Sequence, residues 1–139
     1  IIKSGQLVSD KILNQIVSER IIQNDCKKGF IFDGYPRTIA QAHFINDYFL
    51  QNNLLFNYFI EFNLDDDSII KRISSRAQVE SRPDDKVETI KTRLMEYNQE
   101  TKPVLEHYKK HYNSIYHTID GEQKIEKINS LLLKLLKKY

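Results

Sequence analysis

One stretch of the sequence decides the fold: Gly29–Gln41, which reads GFIFDGYPRTIAQ. Its apolar run Phe30–Phe32 predicts a short strand buried on both faces, as in a parallel sheet. Open α/β sheets bind ligands beyond the carboxyl ends of their strands. Asp33 follows directly, where a carboxylate can hold a hydrated metal ion. The planar guanidinium of Arg37 suits a phosphate, so the stretch indicates the metal and phosphate edge of a nucleotide enzyme.

The turn after this strand contains residues with special backbone preferences. Gly34 relieves crowding, and Pro36 restricts the backbone that presents Arg37. The simpler alternative is a β-turn between a core strand and a helix, with an arginine on the surface.

Strands and helices alternate along the chain, which predicts an α/β protein with a parallel sheet. Helices are predicted over residues 10–24 (with Ser9 as N-cap), 38–50, 65–75, 85–112 and 122–138, and strands over 30–32, 58–64 and 114–119. Pro103 is expected to kink or restart the fourth helix, and residues 77–83 are interpreted as a loop. The second helix is expected to bury Ile39, Ala42, Ile45 and Phe49.

Length and composition exclude several classes of protein. The 139 residues suffice for one domain. A net charge of +2 is too small to argue for a nucleic-acid partner. A single cysteine, Cys26, excludes an internal disulfide. There is neither an apolar run of membrane-spanning length nor a signal-peptide pattern, so we expect no membrane partner and a cytoplasmic location.

Positive charge is concentrated in one part of the chain. Arg72, Arg76, Arg82 and Arg93 follow one another around a polar loop. Catalysis of phosphoryl transfer depends chiefly on positioning of the phosphates and on positive charge around them, and this cluster can supply both. For Arg93 alone, a solvated helix surface is the alternative.

The motif Asp33-Gly34-Tyr35-Pro36-Arg37, with Gln41 four residues later, closely resembles the signature of adenylate kinases. The resemblance covers nearly the whole chain. It continues through Arg72-Ile-x-x-Arg76 and through Arg82-Pro83-Asp84-Asp85. The following helix also resembles the family, with Lys91-Thr92-Arg93-Leu94 and Tyr97, and then Thr101-x-Pro103. It implies a P-loop-type three-layer α/β fold, a parallel sheet with flanking helices. It also implies a Mg²⁺-dependent phosphotransferase that interconverts ATP plus AMP with two ADP, and a monomer when complete.

The resemblance also implies roles for individual residues. The catalytic arginines would be Arg37, Arg72, Arg76, Arg82 and Arg93. The AMP-binding residues would be Gln6, Leu7, Val8, Gly34, Tyr35, Pro36, Arg37, Gln41, Arg82 and Arg93. ATP would be bound by Arg72, Arg76 and the main chain of Gln123, and Asp33 would position Mg²⁺ through water.

By the same resemblance, the chain is one partial kinase domain. Residues 1–8 would end the AMP-binding segment, residues 9–75 and 86–139 would form the core, and residues 76–85 would form a short lid. That lid has no cysteine or histidine, so it cannot hold a structural zinc ion. His107 and His111, one helical turn apart, are interpreted as a surface pair.

The sequence contains no Gly-x-x-x-x-Gly-Lys-Ser/Thr phosphate loop. By the resemblance, it would begin after the first strand and that loop, which predicts that the chain alone is inactive and poorly stable. Two other functions stay open. One is a uridylate-cytidylate kinase. Gln41 favours AMP, however, because its amide can both accept from the adenine N6 amino group and donate to the adjacent ring nitrogen. A non-catalytic nucleotide-binding module is the other.

Overall fold

The computed structural model describes residues 9–80 and 87–137, with side chains over residues 9–75 and 90–137. Six α-helices and two strands form its framework. The helices are α1 Asp10–Ile21, α2 Ile39–Gln51, α3 Asp66–Glu80, α4 Val87–Glu96, α5 Lys102–His111 and α6 Ile125–Leu136, and the strands are β1 Phe59–Asn63 and β2 Tyr116–Asp120. Short 3₁₀ turns at Asn24–Lys28 and Asn113–Ile115 and a π-helical segment at Tyr97–Thr101 complete the described part.

The two strands form a parallel pair, with Phe59 opposite Tyr116 and Asn63 opposite Asp120. The Glu61 carboxylate reaches across it, since its Oε2 accepts hydrogen bonds from the hydroxyls of Tyr116 (2.9 Å) and Thr118 (3.2 Å). A parallel pair needs a crossover connection, and α3 to α5 supply it. The prediction of an α/β fold with a parallel sheet is therefore confirmed.

The predicted strand Phe30–Phe32 was wrong. The segment is not a strand, and it pairs with neither β1 nor β2. Phe30 and Phe32 pack their rings against Phe49 of α2, while Ile31 is 86% exposed. A segment of strand-forming composition becomes a strand only where another strand satisfies its backbone groups, and the described residues offer no such neighbour.

Helix α2 contributes three of the buried apolar residues of the core. Thr38 caps it, its hydroxyl accepting from the backbone N–H of Gln41 at 3.1 Å. Ala42, Ile45 and Phe49 are buried, as predicted, whereas Ile39 is half-buried. The core cluster of Ala42, Val104 and Tyr108 is completed by the partly buried residues Ile39, Phe59, Tyr112 and Tyr116. The core therefore lies where α2 and α5 meet the sheet.

Two amphipathic helices leave their apolar faces largely uncovered. In α1, Ile12 and Ile16 are 51% and 55% exposed, and α6 likewise buries no residue fully. Ser9 occupies the N-cap position of α1 but makes no capping hydrogen bond with its side chain. Amphipathic spacing thus predicted these helices correctly. Whether their apolar faces are buried depends on which other elements pack against them.

The predicted boundaries shift at the third and fourth helices. Helix α3 continues to Glu80, so the interpretation of residues 77–83 as a loop was wrong for residues 77–80. The predicted helix 85–112 becomes α4, the π-helical segment Tyr97–Thr101, and α5 with Pro103 in its first turn. Proline has no N–H to donate and crowds the preceding turn, which confirms the predicted restart.

Candidate functional site

The signature loop folds back on itself around Gly34. This glycine has φ +68°, and its carbonyl accepts a hydrogen bond from Arg37 Nε at 2.7 Å. A Cβ at position 34 would lie only 2.7 Å from Arg37 Nη2. The peptide bond between Tyr35 and Pro36 is cis. Glycine is thus favoured here by its positive φ, and a Cβ would force the end of the Arg37 side chain to shift.

The backbone of Arg37 is held from two sides. Its N–H donates to Gln41 Oε1 at 2.7 Å, and its carbonyl accepts from Thr101 Oγ1 at 3.0 Å. Thr101 ends the π-helical segment, and such segments are frequent at functional sites. The side chain itself is exposed. The fold therefore presents a guanidinium to solvent from an immobilised backbone.

The side-chain amide of Gln41 is fully buried and satisfied at both ends. Its Nε2 donates to Asp10 Oδ1 at 2.7 Å, while its Oε1 receives the Arg37 N–H. Asp10 Oδ1 also accepts from the Thr38 hydroxyl at 3.0 Å. Gln41 thus links the first turn of α1 to the signature loop, an arrangement that its predicted role in reading a base did not anticipate.

Tyr35 provides a second link between this loop and α1. Its hydroxyl donates to Asn14 Oδ1 at 2.7 Å. Burial, and then the negative charge of Asp10, raise the pKa of Tyr35 to about 12. The phenol therefore stays protonated near neutral pH and keeps donating this hydrogen bond.

Asp33 lies exposed in the turn directly before Gly34. Among the described residues, no group of three or more histidine, cysteine, aspartate or glutamate side chains is arranged to hold a metal ion. Mg²⁺ does not require such a group, because it usually keeps several waters and uses one or two carboxylates plus substrate phosphates. A single accessible carboxylate at this position is compatible with that mode of binding.

A second group of predicted residues lies after the carboxyl ends of the two strands. Arg72 Nη2 donates to the carbonyl of Gly121 at 2.6 Å, and the N–H of Gly121 donates to the carbonyl of Asn63 at 2.8 Å. A Cβ on Gly121 would overlap the Leu64 side chain. Arg72 is therefore directed across the sheet edge to the turn that precedes Gln123.

Gln123 lies beside a cavity of about 290 Å³, lined by His117, Thr118, Ile119, Asp120, Gln123, Leu131 and Leu135. Its Nε2 donates to Asp120 Oδ2 at 3.3 Å. Its Oε1 is buried and has no hydrogen-bond partner. A buried acceptor without a donor is costly, and this one belongs to a residue that lines the cavity at the end of β2.

The other predicted residues are less well defined. Arg93 is half-buried in α4. Gln6, Leu7, Val8 and Arg82 lie outside the described residues, as does the side chain of Arg76. Within the described side chains, no hydrogen bond joins Arg37 or Gln41 to Arg72 or Gln123. The structure thus brings the predicted residues into two groups, one at the signature loop and one at the ends of the strands.

Sequence reasoning assigned no role at the site to Asp10, Asn14 and Thr101, which all support the signature loop. Asp10 looked like an ordinary acidic residue in the first turn of a helix, where acids are common. Thr101 lies 64 positions from Arg37 along the chain. No local pattern connects residues so far apart, so only the folded chain reveals these contacts.

Comparison with known proteins gives a consistent result. The family model described as adenylate kinase matches residues 1–113. A protein named adenylate kinase from Sinorhizobium medicae (strain WSM419) is 37% identical over 98% of this chain and 73% of its own length. Another, from Agrobacterium fabrum (strain C58 / ATCC 33970), is 38% identical over 99% and 72%. A third, from Fervidobacterium nodosum (strain ATCC 35602 / DSM 5306 / Rt17-B1), is 33% identical over 98% and 74%.

A separate observation concerns membranes. Among the helices in the described part of the chain, none combines the length and apolar character needed to span a bilayer.

Proposed function

The chain belongs to the adenylate kinase family of phosphotransferases, and on that premise we propose that the complete protein containing it interconverts ATP plus AMP with two ADP. The observation that carries the proposal is the way Arg37 is held. Its backbone is hydrogen-bonded on both sides, its Nε is bonded to Gly34, and its guanidinium is exposed. Such a group is pre-organised to receive a phosphate.

Arg37 is proposed to bind the phosphate of AMP. A guanidinium can form two parallel charge-assisted hydrogen bonds to phosphate oxygens. Its fixed backbone means that little conformational entropy is lost when the nucleotide binds. Gly34, Tyr35 and Pro36 shape the loop that carries it.

The remaining arginines are proposed to stabilise charge during transfer. Negative charge on the transferred phosphoryl group is spread over its oxygens, and positive groups fixed around it lower the barrier. Arg72, Arg76, Arg82 and Arg93 would supply these groups, with Arg72 and Arg76 on the ATP side and Arg82 and Arg93 also reaching AMP. The hydrogen bond from Arg72 to Gly121 supports its place near the ATP base.

The two bases are proposed to bind at opposite ends of this arrangement. Gln123 lies beside the cavity at the end of β2, which supports a role next to the ATP base. On the AMP side, the candidates are Gln6, Leu7, Val8 and Gln41. Because the Gln41 amide is buried and already bonded at both ends, its direct contact with a base would use its second N–H or require it to rotate.

Mg²⁺ is the proposed metal, and Asp33 the residue that would hold it through water. When bound, the ion would neutralise charge on the transferred phosphates. The exposed carboxylate fits that role because it leaves the ion its waters and the phosphates as further ligands.

We further propose a cytoplasmic location and a monomeric complete protein.

A matched pair of arginine substitutions in the complete protein tests the proposal. Arg37→Lys keeps the charge but loses the two-pronged geometry, so we expect kcat/KM for AMP to fall by about tenfold or more. Arg20→Lys is the control, because Arg20 lies on the surface and pairs with Asp25 at 2.7 Å. Exposed pairs of this kind contribute little, so its kcat/KM should stay within about twofold.

The same assay separates the alternatives. A wild-type protein that prefers CMP or UMP over AMP would indicate a uridylate-cytidylate kinase. AMP binding without formation of ADP would indicate a non-catalytic module. Equal effects of the two arginine substitutions would contradict the role of Arg37.

A further inference from the structure

We infer that Asp10 is a positioning residue for the acceptor nucleotide, acting on Arg37 through the Gln41 amide. The inference rests on the proposed function, because it concerns the group proposed to bind the AMP phosphate. It starts from a continuous path of short hydrogen bonds. Gln41 Nε2 lies 2.7 Å from Asp10 Oδ1, and Gln41 Oε1 lies 2.7 Å from the backbone nitrogen of Arg37.

The carboxylate determines which way the Gln41 amide points. Both oxygens of an ionised aspartate only accept hydrogen bonds, so the group facing Asp10 must be the Nε2 amide NH₂ of Gln41. That leaves Oε1 facing the backbone N–H of Arg37, which only donates. If the amide were reversed, two donors would face each other at Arg37 and two acceptors would face each other at Asp10.

Burial makes this orientation consequential. Gln41 is fully buried and Thr38 nearly so, while Asp10 is half-buried. A buried polar group that loses its partner pays the cost of desolvation without compensation. The orientation of the buried Gln41 amide therefore depends on Asp10 as its acceptor.

Asp10 also reaches the signature loop directly. Its Oδ1 accepts the Thr38 hydroxyl at 3.0 Å, and that hydroxyl in turn caps α2 by accepting the Gln41 N–H. The Asp10 carboxylate thus orients two side chains that follow Arg37 in the sequence, those of Thr38 and Gln41. Its removal should free the Arg37 backbone on that side, while the bond from Thr101 to the Arg37 carbonyl remains.

Three variants of the complete protein test the inference by steady-state kinetics with AMP and ATP varied separately. Asp10→Ala removes the acceptor, and we expect KM for AMP to rise about tenfold while KM for ATP changes less than about twofold. Asp10→Asn retains a side-chain oxygen that can accept from Gln41. It should restore at least half of the lost affinity on a logarithmic scale.

The matched control is Tyr108→Phe. It removes a hydrogen bond between α5 and α2, in which the Tyr108 hydroxyl donates to Asn46 Oδ1 at 3.1 Å, but leaves the Gln41 amide untouched. We expect a comparable loss of thermal stability, with KM for AMP within about threefold of wild type. Melting temperatures of all variants identify any that fail to fold, and Asp10→Asn remains informative if Asp10→Ala is one of them.

The outcomes distinguish this inference from the proposed function. If the wild-type protein forms no ADP, the proposed function fails. If the wild type is active but Asp10→Ala raises the KM values for AMP and ATP equally, or Tyr108→Phe raises KM for AMP as much as Asp10→Ala does, Asp10 has only a structural role and the inference is overturned.

Discussion

Arg37 depends on its neighbour Gly34 for the direction of its guanidinium. The glycine has a positive φ, and its carbonyl accepts from Arg37 Nε at 2.7 Å. At the scale of single residues, the site therefore rests on backbone groups as much as on charged side chains.

A first prediction concerns Gly34→Ala. The new Cβ would lie 2.7 Å from Arg37 Nη2 and on a backbone that L-residues rarely adopt. The guanidinium must then move, so we expect kcat/KM for AMP to fall by about tenfold and stability to fall by about 1 kcal/mol. Steady-state kinetics and thermal unfolding measure the two effects.

Gly29→Ala is the matched control for Gly34→Ala. Gly29 also has a positive φ of 122°, but a Cβ there would meet nothing within 4 Å. It should therefore reproduce the backbone strain without moving Arg37. If both variants lose the same activity, the contact between Gly34 and Arg37 has no role of its own.

The identity of the signature residues could be predicted from sequence, because the order Asp-Gly-Tyr-Pro-Arg is local. Their supports could not. Asp10 and Thr101 reach Arg37 and Gln41 across 31 and 64 positions of the chain. Side chains so far apart in sequence meet only after the helices have packed.

At the scale of elements, α2 and α5 meet along a seam that contains three histidines. The His107 ring lies 5.5 Å from that of His43 on α2 and 4.5 Å from that of His111 on its own helix. Asn46 Nδ2 lies 3.4 Å from His107 Nε2, and Asn46 Oδ1 accepts from the Tyr108 hydroxyl. Of the pair interpreted from sequence as a surface feature, His111 is exposed as expected, whereas His107 is half-buried against α2.

A second prediction follows from the pKa of His107. Burial lowers it, and so do the nearby His111 and His43. The unfolded chain, with a histidine pKa of about 6.5, then binds more protons than the folded chain below that pH. Stability should consequently fall as the pH falls from 7 through this value, as measured by chemical denaturation at a series of pH values.

The variant His107→Gln should reduce this dependence on pH, because glutamine does not titrate. His117→Gln, on β2 and away from the seam, is the control and should keep it. An unchanged slope in His107→Gln would show that His107 does not cause the effect.

Local patterns predicted most elements and their type. Whether a segment pairs as a strand or has its apolar face buried depended on the other elements packed against it. The apolar spacing of α2 and the composition of β1 were sufficient to predict a helix and a strand. Phe30–Phe32 has an equally strong strand composition, yet it packs against Phe49 and has no neighbouring strand among residues 9–80 and 87–137. Strand formation depends on a hydrogen-bonding partner, which composition does not specify.

At the scale of the whole molecule, the chain leaves much of its surface in solvent. Its accessible area is 10335 Å², whereas a compact protein of 16.5 kDa exposes about 7,500 Å². Large apolar side chains such as Ile31, Leu55 and Ile125 are more than four-fifths exposed. The apolar area removed from water is correspondingly small, and so is the stabilisation that it contributes.

A third prediction is that the polypeptide of residues 1–139, expressed by itself, forms no ADP and unfolds at low temperature. It carries no phosphate loop with its lysine, which would hold the donor phosphates, and it buries little apolar surface. A coupled assay for ADP and a thermal unfolding curve measure the two effects, with the complete protein as positive control. Phosphotransfer at the rate of the complete protein would refute the prediction.

The family, the α/β class and the candidate residues could be predicted from the sequence, because they depend on local motifs and on periodicity. Only the folded chain shows that β1 pairs with β2, that Phe30–Phe32 pairs with no strand in the described part, and that Gln41 is buried between Asp10 and Arg37. The physical reason is that hydrogen-bond partners and burial are properties of pairs of segments. Asp10 and Arg37 have no relation in the sequence, but in the folded chain one buried amide joins them.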